Sequence, residues 1–124
     1  MLVLAAIATC SVFCAGQASA EKWVYIGADS SKSDYYIDMD SFSREVDIVE
    51  FWSMVDASKD STVDFRSQKT LVRINCQSKR MGVIYAVTYM PDDSNRSYGP
   101  YDYPTLSPIV PGTMGEAMKE KTCD

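Results

Sequence analysis

TLVRINCQSKRMGVIYAVTYM, Thr70 to Met90, is the stretch on which the fold turns. It holds two runs rich in β-branched and aromatic residues, Thr70–Gln77 and Met81–Met90. The short polar segment Ser78-Lys79-Arg80 parts them, and this pattern predicts an antiparallel hairpin. Upstream, Trp23-Val24-Tyr25-Ile26 and Asp34-Tyr35-Tyr36-Ile37-Asp38 read as two strands separated by the turn-like Gly27 to Lys32. Asp47 to Val55 reads as a central strand, because Ile48, Glu50, Trp52 and Met54 on one face and Val49, Phe51, Ser53 and Val55 on the other are both largely apolar.

The connections are read from their polar and turn-forming residues. Asp40-Ser41-Phe42-Ser43 is expected to make a turn or one helical turn, with Asp40 as its cap. Asp56 to Ser67 is expected to be an exposed connection, and Pro91 to Tyr103, rich in Asp, Ser, Gly and Tyr, a long loop. Any strand within Tyr103 to Val110 belongs at a sheet edge, since Pro104 and Pro108 have no N–H for a ladder. Thr113 with Glu116 three residues later forms a capping-box signature after Pro111-Gly112, and a helix is predicted from Met114 to about Thr122. Its buried stripe would be Met114, Ala117, Met118 and the stem of Lys121.

These elements predict an α+β, mostly β fold: an antiparallel sheet of five to six strands with one C-terminal helix packed on a face. So short a helix covers only part of such a sheet. If Ile84 and Ala86 face the helix, Tyr85 and Tyr89 lie on the far side, where sheet curvature or a second subunit, as in a homodimer, would cover them.

Residues Met1 to Ala20 carry no charge, hold apolar runs, and end in Ala18-Ser19-Ala20, so they read as a signal peptide cleaved before Glu21. No Lys or Arg precedes Lys22, and an upstream start would supply the missing positive n-region. Thr9 and Phe13 precede Cys10 and Cys14 where a lipoprotein peptidase takes Gly, Ala or Ser, so release into the periplasm or beyond is expected over lipid anchoring. Residues 21–124 then form a single domain, and the membrane is met only through the export signal.

In an oxidising compartment Cys76 and Cys123, the two cysteines left after cleavage, are expected to pair. In the chain-entropy model a bridge closing so long a loop is worth about 4 kcal/mol. They lie too far apart in sequence for a C-x-x-C redox pair. The formal net charge of −5 argues against general nucleic-acid binding. The chain has no histidine, which removes Ser-His-Asp and Cys-His catalysis and His-ligated zinc or haem. Asp38 and Asp40 are too few for a calcium site and read as turn chemistry. No enzyme, metal or cofactor is expected.

Several pieces taken together resemble the surface-adhesin protein E family of small exported bacterial proteins. They are Tyr35-Tyr36-Ile37-Asp38 with Ser41-Phe42, then Ile48-Val49-Glu50-Phe51-Trp52, then Ser67 to Cys76, then Pro111-Gly112-Thr113 with Cys123. The resemblance implies an antiparallel sheet with a C-terminal helix, the same disulfide, dimerisation and surface display. For the best-known member it also implies adhesion to host extracellular-matrix proteins such as laminin, vitronectin and plasminogen, and haem binding. In this chain Tyr or Met would have to ligate a haem, and core packing is the plainer use of those residues.

Two groups of residues are candidates for partner binding. Arg66, Lys69, Arg73, Lys79 and Arg80 fall in a stretch, Phe65 to Pro91, that has no acid, so a basic hairpin could meet a sulfated glycan or acidic partner. The plainer reading is cross-strand pairing, with Glu50 or Asp47 opposite Arg73 or Lys69. Tyr98, Tyr101 and Tyr103 either anchor a partner or fold back over the sheet edge. The expected function is a non-enzymatic exported binding module. The alternatives are a periplasmic accessory or structural domain and a small-ligand binder of haem type.

Overall fold

The computed structural model describes residues 21–124, and the expected leader, with its cleavage site and Cys10 and Cys14, lies outside the described residues. Seven strands form one antiparallel sheet: β1 Trp23–Ala28, β2 Asp34–Glu45, β3 Ile48–Asp56, β4 Ser67–Asn75, β5 Arg80–Tyr89, β6 Asn95–Tyr98 and β7 Ser107–Pro108. They run in sequence order from β1 to β6, and β7 shares the outer edge of β5 with β6. Among the described residues one helix, α1, spans Met114–Cys123.

Register sorts the side chains onto two faces. On the helix side Val49 lies opposite Ile74 and Phe51 opposite Val72. Ile37, Val49, Phe51 and Ile74 are wholly buried there, with Val72 and Met118 nearly so. Burying each such side chain is worth about 1.5–3 kcal/mol. The helix is tied across this core by the Cys76–Cys123 disulfide, whose Cα atoms are 5.7 Å apart. Its first turn packs at both sides of the sheet: a Cβ on Gly27 of β1 would lie 3.2 Å from the Met114 methyl, and one on Gly115 would lie 2.7 Å from the Met81 sulfur of β5. A flat sheet would hold β1 and β5 about 19 Å apart, so the sheet bends around the start of α1.

Five local expectations are corrected. Asp40–Ser43 is no turn: β2 runs through it to Glu45 with a shift of register between Asp38 and Ser43. The Ser41 hydroxyl donates to the Asp38 carbonyl and accepts from Trp52 N–H, so a side chain bridges the interrupted ladder. Asp40 caps nothing there, and its own N–H donates to Asp38 Oδ1. Within the expected loop, Asn95–Tyr98 pairs with Ala86–Tyr89. Every residue of that strand is exposed, so no alternation betrays it in the sequence.

At the helix start the capping box does not close. Thr113 occupies the N-cap position without a side-chain cap, because its hydroxyl donates to the Val110 carbonyl at 2.6 Å. Glu116 reaches back one residue further than expected and accepts from Gly112 N–H. On the buried stripe, Thr122 replaces Lys121: Thr122 is buried and bonds back to the Met118 carbonyl, while Lys121 is exposed.

The connection after β3 is also less exposed than its composition implies. Ala57 and Asp60 are buried, and the Asp60 carboxylate accepts from the Ser33 hydroxyl at 2.7 Å and from Thr62 N–H at 2.8 Å. It thereby ties that connection to the turn before β2. Bonds from Thr62 and then Ser33 hold the Asp60 carboxyl below the usual carboxylate range.

Two outcomes are expected. Replacing Cys76 and Cys123 together by Ser lowers unfolding free energy by about 4 kcal/mol in a denaturant melt. Asp60→Asn lowers the melting temperature at neutral pH. The wild-type advantage is full above the ordinary carboxyl value of about 3.9 and disappears as pH falls through the lower folded value, which a melting series against pH would record.

Candidate functional site

β5 is the strand on which the candidate surface is built, because three separate segments dock on its outer edge. At one end Arg80 and Met81 pair with Pro108 and Ser107. In the middle Tyr101 N–H donates to the Ile84 carbonyl at 2.8 Å. At the other end Ala86 to Tyr89 pair with Tyr98 to Asn95. Gly82 permits the close approach, since a Cβ there would collide with the Thr105 carbonyl and the Leu106 side chain.

The backbone is thus fixed while the rings remain outside. Tyr98, Tyr101 and Tyr103 are 45%, 51% and 94% exposed. Tyr101 and Tyr103 line a recess of about 320 Å³ with Val83, Pro104 and Thr105. The alternative in which these rings fold over the sheet edge therefore fails for Tyr103 and holds only in part for the other two.

The five cations do not form one patch. Arg73 lies opposite Glu50 in register and donates to its carboxylate at 2.6 Å, so the plainer cross-strand reading holds for it. Arg66 pairs with Asp93 at 3.0 Å, and Lys69 with Glu21 at 3.7 Å. Lys79 and Arg80 make no ion pair among the described residues. Asn75 holds their turn, its side-chain oxygen accepting from Gln77 and Ser78 N–H. Ile109 N–H donates to the Lys79 carbonyl, and the Arg80 guanidinium donates to the Leu106 carbonyl at 3.3 Å. Lys79 and Arg80 consequently stand at one end of the tyrosine edge. Arg96 of β6, exposed and opposite Thr88, stands at the other. Sequence reading passes over Arg96 because the strand that places it is itself invisible there.

Composition likewise does not reveal a cleft on the sheet face away from the helix. Trp23, Asp38, Trp52 and Leu71 follow one another across β1 to β4, with Tyr85 next on β5. Trp52 meets Tyr85 edge-on at 5.9 Å. Glu21, Trp23, Asp38, Trp52, Lys69, Val87 and Tyr89 line about 310 Å³ of space. Tyr85 and Tyr89 are on the far face as expected, half-buried by their neighbours. Asp38 and Asp40 do not act as a pair: Asp38 is buried in the cleft and Asp40 is exposed. Among the described residues no three His, Cys, Asp or Glu side chains converge as metal ligands.

Residues 23–124 match the family model for surface-adhesin protein E. The chain belongs to that family. Two solved structures of Haemophilus influenzae protein E have the same fold. Crystal form II is 19% identical, with a TM-score of 0.55 over 80% of this chain and 86% of that one. A second structure is 17% identical, with a TM-score of 0.56 over 82% and 83%. No curated protein matches the chain. Membership in the surface-adhesin protein E family makes this an adhesin-like binding module. No helix among the described residues is long and apolar enough to cross a membrane.

The Glu50–Arg73 pair, with both side chains about a third exposed, gives a direct measure of how much of the basic run is structural. A double-mutant cycle through Glu50→Gln and Arg73→Gln should return a coupling of about 0.2–1 kcal/mol in a urea melt.

Proposed function

We propose that the chain is a non-enzymatic exported binding module that meets a host matrix protein or another polyanionic partner along the outer edge of β5. The observation that carries this reading is the alignment of Lys79 and Arg80, which make no ion pair among the described residues, with exposed Tyr98, Tyr101 and Tyr103 on one fixed backbone. Rigid exposed tyrosines supply contact area with little ordering cost, and flanking cations supply charge-assisted bonds to sulfate or carboxylate groups. Asp102 between two of the rings selects against a uniformly acidic contact at that point and favours a partner whose charge is concentrated at the Lys79–Arg80 end. Arg66, Lys69 and Arg73 drop out of the binding set because each is already paired with an acid. The non-enzymatic reading rests on the family, on the absence of histidine from the sequence, and on the use of Cys76 and Cys123 in a disulfide.

On a heparin column, Lys79→Glu with Arg80→Glu should elute at clearly lower salt than wild type with an unchanged melting temperature. Arg73→Gln should elute close to wild type. Tyr101→Ala with Tyr103→Ala should weaken capture on an immobilised matrix protein without loss of fold. Unchanged retention in the first variant would overturn the role of the turn.

A further inference from the structure

The cleft on the face away from the helix has a chemistry different from that of the β5 edge. Asp38 is only 6% exposed, and its Oδ1 accepts two backbone N–H bonds, from Lys22 at 2.8 Å and from Asp40 at 3.0 Å. Its second oxygen accepts no hydrogen bond among the described residues. No buried side-chain nitrogen or oxygen among the described residues lacks a partner, so this oxygen keeps contact with solvent and stands open to a donor entering the cleft. The walls around it are the rings of Trp23, Trp52 and Tyr89, whose π-faces attract cations.

The cleft also holds an ammonium of its own. Lys69 Nζ sits 5.6 Å from the centre of the Trp23 ring and 3.7 Å from Glu21 Oε2. An aromatic face with a carboxylate beside it is therefore already arranged around an alkylammonium head group. The side-chain charges of the lining are two carboxylates, Glu21 and Asp38, and one cation, Lys69, and cleavage before Glu21 would add an α-ammonium there. The open oxygen of Asp38, not the net charge of the lining, is what favours a cation over an anion.

We infer that this cleft binds a protonated alkylamine, whose N–H groups reach the free oxygen of Asp38 while its carbon chain lies against Trp23, Trp52 and Tyr89. Lys69 competes for the same cradle as an internal occupant. The site is separate from the β5 edge and stands or falls independently of it. A space of about 310 Å³ lies at the small end of ligand pockets, which suits a short amine chain.

The chain's two tryptophans both line the cleft, so their fluorescence reports its occupancy. The probe is n-butylammonium chloride at matched ionic strength, followed by fluorescence and by calorimetry. A saturable response is expected with n-butylammonium, and a weaker one with tetramethylammonium, which has no N–H to give Asp38. Lys69→Met should tighten the apparent Kd at least about threefold by removing the competitor. Asp38→Asn, which keeps the Oδ1 acceptor for Lys22 and Asp40, should weaken it at least about fivefold. Trp23→Ala gives a second loss variant should Asp38→Asn lower the melting temperature. Nα-acetyl-lysinamide carries the same head group: tighter binding of it than of n-butylammonium assigns the amine to a lysine of a partner protein, and the reverse order to a free amine. Loss of binding in Lys69→Met, an equal response to glucose or sulfate, or no saturable response to any amine would overturn the proposal.

Discussion

A ten-residue helix bound across a seven-stranded sheet is the arrangement on which everything else in this molecule depends. Noncovalent packing of so short a helix is marginal, because forming it costs nucleation and it buries few side chains. Two things offset this. The Cys76–Cys123 bond limits the entropy of the unfolded chain, and the bent sheet closes on the first turn through Met81, Met114 and the two glycines that let them in. The wholly buried residues, Ile37, Val49, Phe51 and Ile74, lie where those two constraints bring helix and sheet together.

The same arrangement decides which surfaces remain for partners. The helix covers one face in part, and the far face is left to cover itself with Trp23, Trp52, Tyr85 and Tyr89 around the buried Asp38. The outer edge of β5, left bare, would be the kind of strand edge that serves as a template for aggregation. Here residues 95–108 are laid along it, satisfying its backbone while exposing tyrosine rings. An edge-protecting segment and the proposed contact surface are thereby the same piece of chain. This fits a binding module, in which a rigid scaffold carries its candidate contact residues on a connecting segment.

Sequence by itself determined the mostly β architecture, the hairpin from Thr70 to Met90, the terminal helix and the pairing of two cysteines, since each rests on local pattern or on counting. It also named Tyr98, Tyr101 and Tyr103, whose exposure follows from their polar, glycine- and proline-rich surroundings. Only the tertiary structure decided which cations are paired with acids. Arg73 and Glu50 are adjacent through strand register, and Arg66 and Asp93 through the docking of distant segments, neither of which leaves a mark in the local sequence. The continuation of β2 through Asp40–Ser43 was hidden for a related reason: a serine hydroxyl from one strand and a tryptophan N–H from the next replace the missing backbone bond. The cleft around Asp38 was hidden most completely. Its lining comes from five separate stretches, Glu21–Trp23, Asp38, Trp52, Lys69 and Val87–Tyr89, and it exists only because antiparallel pairing sets their side chains on one face.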